Sequence, residues 1–412
     1  MPVFTLGIRP PAAGTALVMG LFVVSVGLIL LTEEHRARKS CIPSPAKTLL
    51  PKLSEAEIAA LPYPPDILPG ARDVETPYGS IKVFEWGSED GEKVLLLHGI
   101  STPCMALVNL GEELARDGYR VMLFDFFGRG YSDAPTDLPY DIRLHTTQIL
   151  LVLASSSLRW TGDDAFHLIG YSLGGAIAVP FARFFPRMVR SLVLVASGGL
   201  IRHEHVSWQS KVLYSTGIFP EAVLERLVRR RITPKKEAAT NEEKMAGEVV
   251  GVKTPKRQKN SDASGGDSYD NAVLSTRRPG LTVSAVMGWQ LDHQRGFVPA
   301  FMSSIRHAPI YDQHEHWEAL GSLLAARRRS GGDESTGVKL PGLRPGRILL
   351  VLGSTDPVIV REELIHDATS ALGEDGFEAI SLDCGHEIAM TKGKEVAGLA
   401  ADFWKETGWF EE

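Results

Sequence analysis

Ser172 lies in Gly170-Tyr171-Ser172-Leu173-Gly174, the G-x-S-x-G spacing whose glycines, Gly170 and Gly174, let a chain turn sharply from strand into helix and present a serine hydroxyl alone. A hydroxyl at neutral pH is a poor nucleophile, so such a serine needs a histidine within hydrogen-bond reach and a carboxylate holding that histidine in one tautomer. Both follow in the order serine, acid, histidine: Asp356 closes Gly353-Ser354-Thr355-Asp356 and His386 closes Asp383-Cys384-Gly385-His386. Asp383 and Glu387 are the rival acids, but they sit too near His386 along the chain to reach its far nitrogen easily. The bland alternatives are a turn-starting Asp356 before Pro357 and an ordinary loop His386. Acyl chemistry also needs donors for the developing oxyanion. The backbone amide of Leu173, just after the serine, is one candidate, and that of Ile100 in His98-Gly99-Ile100-Ser101 is the other. His98 reads as a loop-shaping residue, not a second base.

The elements that must position these residues are legible around them. Residues 166–169, Phe-His-Leu-Ile, form a buried strand before the elbow, and residues 175–179 open a helix after it. Residues 73–76 and 80–86 read as a hairpin about Pro77-Tyr78-Gly79, and residues 93–97 as a strand filling a doubly covered sheet. Helix 107–117, strand 120–125, helix 142–158 and strand 191–196 continue the alternation, which returns only at strands 346–353 and 377–382. Alternation of this kind implies a parallel sheet with right-handed crossovers. Asp356 and His386 then fall at carboxyl ends of strands, where open α/β sheets place their ligands. Pro180, inside the helix after the elbow, should kink it or cost about 3 kcal/mol.

The domain layout expected is an N-terminal segment 1–39, a Pro-rich semi-rigid tether 40–69, an α/β core made of 70–199 and 345–412, and a helical cap 200–344. Within the cap, helical patterning covers 221–231 and 296–305, while 235–279 is a polar, low-complexity insertion expected to be disordered; a second, shorter one covers 327–345. Residues 12–31 carry no charge and are long enough to span a hydrocarbon core of about 30 Å, so a single-pass transmembrane helix is expected, with a cleaved signal peptide as the rival. Arg36, Arg38 and Lys39 after the stretch against Arg9 before it lean toward a cytosolic catalytic domain; signal cleavage would instead leave it secreted or lumenal.

Composition excludes little and adds no cofactor. A net charge of -6 gives no nucleic-acid footprint, and three cysteines without C-x-x-C spacing indicate neither a disulfide framework nor a zinc site. No metal is expected, and the oligomeric state is not legible.

Leu97-His98-Gly99, the run Asp125-Phe126-Phe127-Gly128-Arg129-Gly130-Tyr131-Ser132, the elbow, Asp356 and Gly385-His386 together resemble the α/β-hydrolase superfamily. The arrangement is similar to capped serine hydrolases such as monoacylglycerol lipase-like, valacyclovir hydrolase-like and C–C bond hydrolase enzymes. That resemblance implies an α/β-hydrolase fold, with a mostly parallel eight-stranded sheet, helices on both faces and an inserted helical cap, and a covalent acyl-enzyme resolved by water. The loop after His98 is not of the HGGG form, which argues against the lipase and esterase branch carrying it. Asp125 reads as a turn-shaping residue. The expected substrate is a carboxylic ester, apolar or lipid-like, with Phe219, Trp289, Phe297, Phe301 and Trp317 as either substrate-facing or core aromatics. A thioesterase, amidase, acyltransferase or C–C hydrolase is open on the same triad, as is a catalytically silent ligand- or partner-binding protein.

Overall fold

The computed structural model describes residues 41–234, 269–331 and 341–406. The apolar stretch 12–31, most of the expected insertion (235–268) and residues 332–340 lie outside the described residues. The expected transmembrane helix therefore has no structural support, and no helix among the described residues is long and apolar enough to cross a membrane.

Eight strands form one sheet: β1 (Ala71–Thr76), β2 (Gly79–Gly87), β3 (Lys93–Leu97), β4 (Arg120–Phe124), β5 (Phe166–Tyr171), β6 (Val189–Val195), β7 (Ile348–Gly353) and β8 (Phe377–Leu382). Their order across the sheet is β8-β7-β6-β5-β3-β4-β2-β1. The hairpin β1-β2 and the pair β2-β4 are antiparallel, and all other pairs are parallel. Strands β3, β5 and β7 read as unbroken apolar runs because helices cover both faces of a parallel sheet. The chain lays β4 on one side of β3 and β5 on the other, so the strand order reverses beside β3. That reversal opens a crevice at the carboxyl ends of β3 and β5.

Helices α1 (Val108–Arg116) and α9 (Gly393–Glu406) pack on each other, while α2 (Ile142–Ala154), α3 (Leu173–Phe184), α7 (His314–Gly331) and α8 (Arg361–Leu372) pack as a second group. Between β6 and α7 the chain forms Trp208–Leu213, α4 (Glu221–Ile232), α5 (Val283–His293) and α6 (Phe297–His307). The expected cap, 200–344, thus ran too far: α7 packs on α3 and α8 and belongs to the sheet-covering layer, through buried Trp317, Leu320 and Leu324. Helix α3 continues through Pro180, from Leu173 to Phe184.

The segment expected as a tether is instead fastened to the domain. Cys41–Ile42 pairs antiparallel with Ala134–Pro135, the Ser44 amide donates to Asp133 Oδ1 at 2.7 Å, and Lys47 Nζ donates to Asp133 Oδ2 at 2.8 Å. Tyr63 is fully buried and donates its hydroxyl to Asp125 at 3.0 Å. Prolines here set the bends between anchors rather than extending the chain.

His145 on α2 is fully buried against Phe126 and Tyr140, and neither ring nitrogen has a partner among the described residues. Burial, helped by nearby Arg129, pushes its pKa down to about 3 from 6.5, so the ring is neutral in the fold. As pH falls through 6.5 the unfolded chain takes up a proton there and the native state does not, so stability is lost between pH 6.5 and 3. His145→Phe should remove this sensitivity. Its stability gain over the parent in urea unfolding is expected to be about 2 kcal/mol larger at pH 5 than at pH 7.5; equal gains at both pH values would mean the folded ring is protonated as readily as the unfolded one.

Candidate active site

The turn from β5 into α3 places Ser172 at φ 53° and ψ −116°, a backbone region that non-glycine residues rarely occupy and that functional sites retain. The flanking glycines are there because nothing larger fits. A Cβ on Gly170 would stand 2.5 Å from the Gly174 carbonyl oxygen, and one on Gly174 would stand 2.1 Å from Leu97 O and 2.8 Å from His98 O. All of these obstacles are backbone, so relief requires moving the elbow or the end of β3. Gly174→Ala is accordingly expected to destabilise the domain by about 3 kcal/mol, read as a lowered urea midpoint. A midpoint unchanged from the parent would show that the elbow relaxes without cost.

His386 comes from the loop after β8. Its Nε2 lies 3.0 Å from Ser172 Oγ and its Nδ1 lies 2.8 Å from Asp356 Oδ2. Asp356, in the loop after β7, uses its other oxygen to accept from the amides of Val358 (2.7 Å) and Ile359 (2.9 Å), which fixes the carboxylate relative to its strand. The side chains of His386 and Asp356 are 4% and 1% exposed, so water scarcely competes for either hydrogen bond. With Nδ1–H donating to the carboxylate, Nε2 is left to accept the serine proton. The rival acids lie elsewhere: Asp383 accepts from Ser354 Oγ, and Glu387 accepts from the Gly385 amide. The Tyr171 hydroxyl donates to the His386 carbonyl at 2.7 Å, tying the β5 elbow to the histidine loop.

Ile100 and Leu173 follow the carboxyl ends of β3 and β5, and among the described residues neither amide donates to a protein acceptor. Leu173 is also the first residue of α3, where the helix dipole favours negative charge. The Ile100 loop is held from below. His98 Nδ1 donates to Gly99 O at 2.7 Å and Nε2 accepts from the Phe126 amide at 2.9 Å. Burial pushes the His98 pKa down to about 3, so it is neutral and serves as a spacer between two loops. The Ile100 carbonyl accepts from Arg129 Nε at 3.1 Å. Arg129 is fully buried and, among the described residues, pairs with no carboxylate; its side chain also donates to Phe127 O and Ser304 Oγ and lies over the Phe297 ring. Burial lowers its pKa to about 10, which leaves it charged at neutral pH behind the Ile100 loop. Asp125 accepts from the amides of Cys104 and Tyr131 and from Tyr63, so it organises the turn.

Several residues that matter here gave no usable signal. Tyr269 falls inside the stretch read as disordered insertion, yet Tyr269–Asn271 is a 3-10 turn whose tyrosine ring sits 6.1 Å from that of His386. Its buried hydroxyl bonds the side chains of Ser101 and Tyr171, and burial pushes its pKa up, so it remains a proton donor. Gln290 on α5 donates to Ser101 O at 2.9 Å and accepts from the Gly130 amide at 3.0 Å, joining the inserted helices to the loop after His98. Of the aromatics expected to face either substrate or core, Trp289, Phe297, Phe301 and Trp317 are buried in the core, and Phe219 stands on the surface. No cluster of three or more His, Cys, Asp or Glu among the described residues is placed to hold a metal.

Known proteins resemble this chain in parts and in fold. Over 120 residues, 29% of this chain, it is 34% identical to the human protein named serine hydrolase-like protein, of which 56% is matched. Over 115 residues, 28% of this chain, it is 32% identical to Lipase 1 of Psychrobacter immobilis, of which 34% is matched. The matches therefore span about half or less of those relatives' own length. A membrane phospholipase A described as a bacterial virulence factor superposes with a TM-score of 0.53 at 16% identity, covering 94% of this chain and 99% of that one. The 2-hydroxy-6-oxo-6-phenylhexa-2,4-dienoate hydrolase of a Rhodococcus strain superposes with a TM-score of 0.52 at 16% identity, covering 81% and 98%. At such identities the likeness is one of fold. The family model for the alpha/beta hydrolase fold matches residues 93–393, well over half of the 412, and the chain is therefore a member of that family.

Proposed function

We propose that this member is a serine hydrolase that cleaves a carboxylic ester, with an apolar or lipid-like acyl group, through Ser172, His386 and Asp356. The observation that carries the reading is the unbroken relay from Ser172 Oγ to His386 Nε2 (3.0 Å) and from His386 Nδ1 to Asp356 Oδ2 (2.8 Å), at the strand-order reversal of the sheet. His386 Nε2 takes the Ser172 proton as Oγ bonds to the carbonyl carbon, and the amides of Ile100 and Leu173 receive the oxyanion. His386 then returns the proton to the departing alkoxide as the C–O bond breaks. In the second half, His386 deprotonates water, which attacks the acyl-serine; the acid leaves and Ser172 regains its proton. Ile100 and Leu173, the residues whose amides are proposed to receive the oxyanion, are apolar, and the name of the Psychrobacter relative, a lipase, agrees with an ester. The uncharged residues 12–31 support a membrane location, which stands as part of the proposal.

The test is reaction of the full chain with a fluorophosphonate, followed by intact mass and peptide mapping. One adduct, on Ser172, is expected. Absence of an adduct on folded protein would favour a silent ligand-binding member, and a panel of ester, thioester and amide substrates would then decide the bond class for a reactive one.

A further inference from the structure

Eight large hydrophobic side chains stand exposed among the described residues, and six of them fall between positions 208 and 227. They are Trp208 (67% exposed), Val212 (41%), Ile218 (68%), Phe219 (47%), Val223 (48%) and Leu227 (48%). Within each helix their spacing places them on one face. Trp208 and Val212 are four residues apart on Trp208–Leu213, Val223 and Leu227 are four apart on α4, and these two helices pack on each other with Ile218 and Phe219 in the loop between. Helix α4 already has an inward stripe, Leu224, Val228 and Ile232, all buried. Val223 and Leu227 therefore form a second apolar row that the described residues do not cover, and monomeric proteins rarely leave such rows in water without use.

Charge says what covers it. Residues 207–232 carry five cationic side chains against two carboxylates in a chain whose net charge is -6. Arg229 is paired with Asp292, and Glu221 with Arg306. Lys211, Arg226 and Arg230 are exposed and have no ion pair among the described residues. Arg226 and Arg230, four apart on α4, edge the row of Val223 and Leu227. A tryptophan, a phenylalanine and aliphatic side chains bordered by unpaired cations form the pattern by which a helix lies in a membrane interface, apolar side chains at the acyl boundary and cations among anionic headgroups.

We propose that this face, the outer side of Trp208–Leu213, the Ile218-Phe219 loop and α4, docks on an anionic lipid bilayer. The inference is independent of the bond that the protein cleaves and of residues 12–31.

Hydrogen exchange of the full chain, read by mass spectrometry with and without vesicles, isolates this segment from any other membrane-binding part. Vesicles of phosphatidylcholine alone and of phosphatidylcholine with phosphatidylserine are compared. Protection of residues 207–232 is expected with the anionic vesicles and much less with the neutral ones. Phe219→Asp with Leu227→Asp should raise the lipid concentration needed for that protection by about tenfold or more, and Arg226→Glu with Arg230→Glu should abolish the preference for anionic lipid. Every substituted side chain is exposed, so unfolding midpoints and turnover of a water-soluble ester should match the parent. Exchange in 207–232 that vesicles leave unchanged, even on chain that sediments with them, overturns the proposal. So does protection already complete without lipid, which assigns the face to another segment of the same chain, or protection that grows with protein concentration alone, which assigns it to a second copy.

Discussion

Ser172→Ala and His386→Ala should each lower kcat on a soluble ester by about 10⁴- to 10⁶-fold, and the double variant should fall no further than the worse single one. The reason is mechanical coupling through one 3.0 Å contact. Without His386, the serine hydroxyl keeps its proton and is no better than water as a nucleophile; without Ser172, the histidine has no alcohol to activate. Removing the second partner of a broken relay therefore costs almost nothing more. The residual rate reflects binding and the amides of Ile100 and Leu173, which neither substitution touches. Neither side chain holds the fold together: Ser172 Oγ has His386 as its hydrogen-bond partner, and the elbow is set by glycines and the backbone bond from the Ser172 amide to Val195 O. Unfolding midpoints should accordingly stay near the parent. Independent, additive losses in the two variants would mean that the residues act at separate steps, and the relay would have to be abandoned.

What the sequence reveals and what it conceals follows from how far apart the partners are. Strands β3, β5 and β7 are readable because two-sided burial writes itself as an uninterrupted apolar run, and β8 matches its expected bounds at Phe377–Leu382 although its outward residues alternate in exposure. The elbow is readable because its constraint is local: the Cβ clashes at Gly170 and Gly174 are dictated within a few residues and by the neighbouring strand. The segment before β1 fails for the opposite reason. Its prolines suggest extension, whereas its anchors, Ser44 to Asp133 and Tyr63 to Asp125, are carboxylates 89 and 62 residues away. Helix α5 escapes notice because Gln290 within it and Gln294 just after it are buried polar residues, blurring the apolar stripe; both bond backbone groups, near the Ile100 loop and the Asp125 turn. Tyr269 is concealed by its neighbourhood, one aromatic at the end of a polar stretch, although its hydroxyl reaches both sides of the crevice.

Asp356→Asn should leave the domain folded, leave KM nearly unchanged and lower kcat by about 10⁴-fold. Asp356 Oδ1 accepts from the amides of Val358 and Ile359, and an asparagine carbonyl oxygen can keep both of those bonds. The remaining position, 2.8 Å from His386 Nδ1, is then occupied by an amide nitrogen, which only donates. His386 must answer by accepting at Nδ1, and its proton moves to Nε2, the atom that faces Ser172 Oγ. In that tautomer the histidine cannot take the serine proton, and the loss is one of proton direction, with every heavy atom still in place. Asp356→Ala would lose the two loop bonds as well, so a lower unfolding midpoint in Asp356→Ala than in Asp356→Asn, at similarly low kcat, separates the catalytic consequence from the structural one. Fluorophosphonate labelling of Ser172 should slow in parallel with kcat, since the first attack needs the same proton transfer. A fall of less than about tenfold in Asp356→Asn would show that the carboxylate's charge and tautomer control are dispensable, and would turn attention to Glu387, which bonds the Gly385 amide beside His386.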